Sequence, residues 1–382
     1  MTLDGTPLKK NSIHLCGYYV GHAHHTGHCC CTRKGTSVNA SKNSAPSDST
    51  TPRRRNAPKR GVPDPSVTIR PTPIERLDLS SKRLAIIGGT NGLGRAIAQQ
   101  ALARGAEVTV VGRTFRDDPA ARLTFVAADL SLMRAAVRLG LDFPAELFDV
   151  ALFTAGIIAA KTREETREHV ERDVAISYLS RLAVLQGLSP RLGSARADGA
   201  PKPRVFVMGS PGYGVLGDPE DLNSEDSYRP LVAHANTVAG NEVLVLAAKD
   251  RFPGPAFFGL GPGLVKTGIR SNYLGDGSVT HKLVEAAIGV VAQSPETYAK
   301  RIVPILFTPE LEGRTGLMFA SKPGLEMLRG GDRPILPTQS IDTTYIDRYM
   351  SASEALLRRA LSGRPSPAHS PTSSGTTSEA SS

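Results

Sequence analysis

The chain predicts an α/β fold, a single doubly wound parallel sheet of about seven strands with helices on both faces. Three observations carry this. Short β-branched runs alternate with helical patterns from residue 79 to about 361. One strand–turn–helix, at 84–100, is punctuated by glycines. The core contains no internal repeat, and about 280 residues organised this way make one domain.

The elements follow in order. "RLAIIGG" (83–89) reads as a buried strand ending in Gly, and "LGRAIAQQALARG" (93–105) as a helix closed by Gly105. "EVTVVGR" (107–113), "RLTFVAADL" (122–130) and "FDVALFTAG" (148–156) are the next three strands. A long helix follows, with Val170, Val174, Tyr178, Leu182 and Leu185 on one face at three- and four-residue spacing. "PRVFVMGS" (203–210) is the fifth strand, "NTVAGNEVLVLAAKDRF" (236–252) a helix and "AFFGLGPG" (256–263) the sixth strand. Residues 301–321 give a helix end and a last strand, and 338–361 a helix expected to cover the pocket.

The domain is expected over 76–361, between a disordered basic arm (1–75) and a Ser/Thr/Pro tail (362–382). Residues 1–70 hold eleven Lys and Arg against three Asp, a net +8 of the chain's +10. The basic balance therefore belongs to the arm, and no nucleic-acid partner is expected. All four cysteines (Cys16, Cys29, Cys30, Cys31) lie there too, so the core carries no disulfide framework, which suits a reducing compartment. "GHAHHTGHCCC" (21–31) has zinc-ligand residue types without finger spacing, and no metal site is expected. No apolar run has spanning length, and the start lacks a secretory plan. A cytoplasmic protein without a membrane span is the expectation, organelle import by the arm being the alternative.

"LAIIGGTNGLGRAIAQQ" places Gly88, Gly92 and Gly94 between a strand and a helix. The first Gly lets the chain turn sharply, and the others let a pyrophosphate approach backbone N–H groups at a helix N-terminus. Thr90, Asn91 and Leu93 complete this candidate dinucleotide turn. After the second strand an NAD site normally places an acid for the ribose 2′-hydroxyl, but this chain has Gly112, Arg113 and Thr114. Arg113 suits a 2′-phosphate, so NADP(H) is preferred over NAD(H).

On these residues the core resembles the short-chain dehydrogenase/reductase family along nearly all of 79–322, which implies a Rossmann-type fold. The resemblance implies that Asp129 and Leu130 of "AADLS" lie beside the adenine. It places "FTAG" (Thr154, Ala155, Gly156) after strand four and the catalytic Ser at Ser210. In "GPGLVKTGI" it sets Pro262 and Gly263 facing the nicotinamide, with Val265 and Thr267 on its carboxamide side. "EDLNSEDSYRP" (220–230) is similar to the retinol-dehydrogenase-like branch, which implies a small lipophilic alcohol or carbonyl as substrate. A homodimer through the helices near 165–188 and 236–252 is likewise implied.

The chemistry departs from that pattern. In "LVAHANTVAGNE" (231–242), His234 stands where the family has its Tyr and Val238 where it has the Lys four residues on. Ser177 stands at the Asn place of the long helix. None of the nine Tyr has a Lys four residues later. An imidazole titrates near neutrality and can move protons unaided, so His234 is the candidate acid/base, with Ser210 and Ser177 beside it. Three readings stay open: an atypical NADP(H)-dependent oxidoreductase, an NADP-binding pseudoenzyme with a regulatory or scaffolding role, and non-redox chemistry in the same pocket.

Overall fold

The computed structural model describes residues 61–265, 292–320 and 331–363. Seven strands run parallel: β1 (Arg83–Ile87), β2 (Glu107–Gly112), β3 (Leu123–Ala127), β4 (Val150–Phe153), β5 (Arg204–Met208), β6 (Ala256–Leu260) and β7 (Leu317–Ala320). β8 (Arg333–Ile335) returns antiparallel along β7. The sheet order is β3-β2-β1-β4-β5-β6-β7-β8. From β1 the chain moves outward to β2 and β3, then crosses back to lay β4 on the free side of β1. Strand order reverses there, and it is at the carboxyl ends of the strands beside such a reversal that open α/β sheets bind their ligands.

Two apolar layers cover the sheet. Leu84, Ile86, Val108, Val110, Leu152, Phe206 and Phe258 point to one face, against α1 (Gly92–Leu102) and α6 (Pro295–Phe307). Ala85, Ile87, Val111, Ala151, Phe153, Val205 and Phe257 point to the other. That face carries α2 (Met133–Asp142), α3 (Arg172–Val174), α4 (Ser180–Leu188), α5 (Pro230–Arg251) and α7 (Thr343–Ser362). Strands buried on both faces must be apolar at every position, so the runs in β1, β4, β5 and β6 are continuous rather than alternating. α5 starts with Pro230 in its first turn, where a missing N–H costs nothing. It is long and apolar enough to cross a membrane, but it is a core helix, most of it buried inside the domain.

Three details differ from the sequence reading. The sheet has eight strands rather than about seven, because β8 is a three-residue edge strand containing Pro334, too short and too polar to announce itself. The long helix is broken by a π-helical turn, Ala175–Leu179. The domain begins before residue 76: Gly61 N donates to Gly212 O at 2.8 Å, Leu336 N to Val62 O at 2.8 Å, and Val67 and Ile74 are buried. Within the chain α2 packs on α4, and α7 packs on α5.

α7 opens with Asp342, whose carboxylate accepts from Tyr345 N, and closes on Gly363 at φ 68°. The Tyr349 hydroxyl donates to Asn236 O, and the Tyr178 and Ser353 hydroxyls lie 2.7 Å apart. Asn236 follows His234 by two residues, so α7 meets α5 on the side away from His234. It supports the pocket wall from behind, where the sequence reading has it as a cover. The arm's 21–31 stretch, Thr267 and the tail from 364 lie outside the described residues.

α2 and α4 touch through two facing glycines. A Cβ at Gly140 would sit 2.4 Å from Val184 O, and one at Gly187 2.8 Å from the Gly140 carbonyl carbon. Gly140→Ala is therefore expected to lower stability by about 2 kcal/mol despite alanine's better helix propensity. The checking measurement is urea unfolding, with a lower midpoint and an unchanged slope.

Candidate active site

The glycine turn between β1 and α1 leaves no room for side chains. Gly88 sits at φ 104° and donates its N–H to Val111 O at 2.9 Å. A Cβ there would lie 2.3 Å from Ala155 N, and one at Gly94 2.4 Å from Gly88 O. Asn91 precedes α1 in extended conformation without a side-chain cap, and the first turn holds no acid. The opening N–H groups of α1 are thus left for an external anion. This cradle fits a dinucleotide pyrophosphate.

The other nucleotide positions gather at the same edge of the sheet. Thr154 N and Ala155 N both donate to Ile87 O, tying β4 to the glycine turn. Thr90 packs over Gly112, where a Cβ would sit 2.5 Å from its hydroxyl. Arg113 is exposed at the end of β2. Beyond it Asp117 accepts from Arg95 Nε at 2.8 Å and from Gln99, so that carboxylate is committed within the protein. One oxygen of Asp129 accepts from Ser131 N and Oγ, and Leu130 turns its side chain into the core, leaving only its backbone to meet a base. Pro262 O accepts from Gln293 Nε2 at 2.9 Å, Gly263 sits at φ 70°, and Val265 is buried and bridges to Gln293.

Two of the candidate catalytic positions, His234 and Ser177, meet through Asp173, which the sequence reading did not contain. The His234 Nδ1–H donates to Asp173 Oδ2 at 2.7 Å; the carboxylate side chain is 0 % exposed and the imidazole 22 %. The Ser177 hydroxyl donates to the other Asp173 oxygen at 2.5 Å and accepts from Ile157 N at 2.9 Å. An ionised carboxylate only accepts, so Asp173 fixes the proton on Nδ1 and leaves Nε2 for outside chemistry. Ser210 lies exposed just beyond β5. Val238, one turn after His234, adds no polar group.

The tyrosines offer no replacement acid. Burial pushes the Tyr213 phenol up to about 12. Tyr228 donates to Ala160 O at 2.6 Å, and burial with nearby carboxylates raises it to about 12 as well. Tyr178 is sealed in the core. Leu216 (45 % exposed) and Leu231 (38 % exposed) are large apolar side chains left in water on the β5–α5 loop and the first turn of α5. Leu231 precedes His234 by three residues and shares its side of the helix.

Asp173, Arg181 and Asn241 were not singled out from sequence. The guanidinium of Arg181 donates to Ala155 O at 2.7 Å, to Asn241 Oδ1 at 2.8 Å and to Met208 O. Asn241 Nδ2 donates to Ser177 O and Thr237 O. The signal was present as a polar ladder, Asp173, Ser177 and Arg181 at four-residue steps along an otherwise apolar helix. Glu171 accepts from Val174 N at 2.8 Å to start that helix. Burial, with Asp173 beside it, raises its pKa to about 7.

No family model matches the chain. A protein of Saccharomyces cerevisiae described as an uncharacterized oxidoreductase is 43% identical over 302 residues, covering 78% of this chain and 95% of its own length. A putative uncharacterized protein from Mycobacterium paratuberculosis superposes with a TM-score of 0.55 at 19% identity, over 76% of this chain and 98% of its own. A short-chain dehydrogenase family protein from Francisella tularensis gives a TM-score of 0.45 at 16% identity, over 62% of this chain and 95% of its own.

The raised Glu171 makes a stability prediction. Between about 4.5 and about 7 the folded state holds a proton that the unfolded chain releases, so stability falls as pH rises through that window and levels off above it. Glu171→Gln keeps an acceptor for Val174 N and removes the titration. It is expected to flatten this slope, worth on the order of 1–3 kcal/mol, in urea midpoints measured from pH 5 to 8.

Proposed function

We propose that this chain, an oxidoreductase like its yeast relative, is of the short-chain dehydrogenase/reductase type and interconverts a lipophilic carbonyl and its alcohol using NADP(H), with His234 as the acid/base. The observation that carries this reading is the buried Asp173 carboxylate 2.7 Å from His234 Nδ1. A helix-start His would need no such partner. An orienting carboxylate is what a catalytic imidazole uses to hold its tautomer and to stabilise its cation.

When bound, the nicotinamide supplies the hydride to a carbonyl carbon, or accepts it from the alcohol. The glycine turn and the α1 N-terminus hold the pyrophosphate, and Arg113 meets the 2′-phosphate. Asp129, Thr154, Pro262 and Gly263 would line the path from adenine to nicotinamide. Ser210 donates to the substrate oxygen and fixes its direction. In reduction His234 Nε2 gives its proton to that oxygen, and the neutral imidazole regains one from solvent. In oxidation the proton moves the other way. Overall, carbonyl, NADPH and one proton become alcohol and NADP⁺. The exposed Leu231, on the His234 side of α5, supports an apolar substrate, as does the likeness of 220–230 to the retinol-dehydrogenase-like branch.

Val238 supports a second reading, an NADP-binding protein without turnover, since an apolar side chain can neither hold ribose hydroxyls nor bias a neighbour's pKa. His234→Ala separates the two. NADPH binding, followed by fluorescence, is expected to stay within about threefold of the parent, while turnover of a long-chain aldehyde falls 10²-fold or more. Binding with no turnover in either protein favours the second reading. For cofactor choice, Arg113→Ala is expected to weaken NADPH about tenfold and leave NADH nearly unchanged, since a lost charge-assisted contact is worth roughly 1.5 kcal/mol.

A further inference from the structure

Two opposite charges are buried at this site without touching each other. Asp173 is bonded to His234 and Ser177, and no Lys or Arg lies within 4.0 Å among the described residues. Arg181 is buried in the core, and its hydrogen bonds all go to neutral oxygens: two backbone carbonyls and one amide. Its Nε has no partner among the described residues. An ionised side chain is not normally left this way in a low-dielectric interior unless another charge balances it.

A hydrogen-bonded chain connects the two. Ser177 Oγ donates to Asp173 while Ser177 O accepts from Asn241, and Asn241 Oδ1 accepts from Arg181. α5 brings no cation to this wall, since Val238 is apolar and Lys249 and Arg251 lie in its last turn. Glu171 and Tyr228 also feel the Asp173 charge, with Arg163 and Glu164 beside them, and Arg172, next in the chain, is paired with Glu164. Arg163 is already engaged by Glu165, Glu225 and Asn223 O. That leaves Arg181 as the cation able to balance Asp173.

We propose that Arg181 is a positioning residue of the catalytic pair. From beneath the crevice it offsets the negative charge that Asp173 presents to the imidazole, and so sets the pH at which His234 takes and gives its proton. The same guanidinium ties the Ala155 and Met208 carbonyls together, fixing the ends of β4 and β5 beside which the substrate oxygen would sit. Burial lowers its pKa to about 9, which leaves it cationic at neutral pH. This inference rests on the acid/base reading of His234.

The test is the NMR titration of the His234 imidazole in the full, unliganded chain, compared among Arg181→Met, Arg181→Gln and Arg181→Lys. Removing a buried cation raises the proton affinity of the groups it faces. The His234 titration is therefore expected to move up by about one unit, a tenfold change, in the Met and Gln variants, and to stay near the parent value in Arg181→Lys. Arg181→Gln keeps a donor for the carbonyls should Arg181→Met not fold. Adding Asp173→Asn to Arg181→Met should recover folding stability, because both buried charges are then gone. An unmoved titration in the neutral variants, or an equal shift in Arg181→Lys, overturns the proposal. The readout needs no turnover. Activity surviving in His234→Ala would defeat the acid/base reading while leaving the Arg181 titration to stand on its own.

Discussion

A carboxylate removed entirely from water must have its oxygens bonded, and Asp173 shows how much of the architecture that requirement organises. One oxygen takes the imidazole on α5 and the other takes the hydroxyl of Ser177. The π-helical turn at Ala175–Leu179 contains that serine, and such wide turns tend to occur where a helix serves a site. Ser177 in turn receives Ile157 N, so the segment leaving β4 is referenced to the same point. A single buried charge thereby fixes the mutual placement of β4, the α3–α4 run and the first turns of α5.

The glycine turn between β1 and α1 was legible in the sequence. Gly88, Gly92 and Gly94 announce themselves because a tight turn admits nothing else, and the strands around them are apolar at every position. His234 and Val238 stood out as equally plain departures from the pattern the resemblance implies, because each is a change of residue type at a set spacing. Asp173 was hidden for a physical reason. In "VERDV" an acid in a first helical turn reads as a solvated side chain favouring the helix dipole, and only the tertiary fold brings α5 over it. Arg181 was hidden similarly, since a lone Arg in a helix is normally an exposed one. β8 and residues 61–75 escaped because their order comes from the partners they pack on and not from their own pattern.

The same burial that seals the core bears on the proposed choice of a histidine as the acid/base. Tyr178, Tyr213 and Tyr228 all have their phenols pushed up by desolvation, away from any pH at which they could give and retake a proton readily. Retaining a tyrosine would require a cation on α5 to bring it down. With Val238 in that place, the cation lies instead on α4 as Arg181, on the far side of Ser177 and Asn241.

The wall of the pocket is completed by residues remote in sequence. Tyr345 on α7 receives Gly217 N and donates to Gly217 O, a pair 128 residues apart. Glu242 joins Gly212 N to Thr338 N and Oγ1 in the same way. During synthesis the sheet from β1 to β6 can collapse while the loop after β5 still lacks these anchors. The crevice therefore acquires its final shape only after α7 has left the ribosome. A nascent chain halted before that point would hold a nucleotide turn with no finished substrate wall beside it.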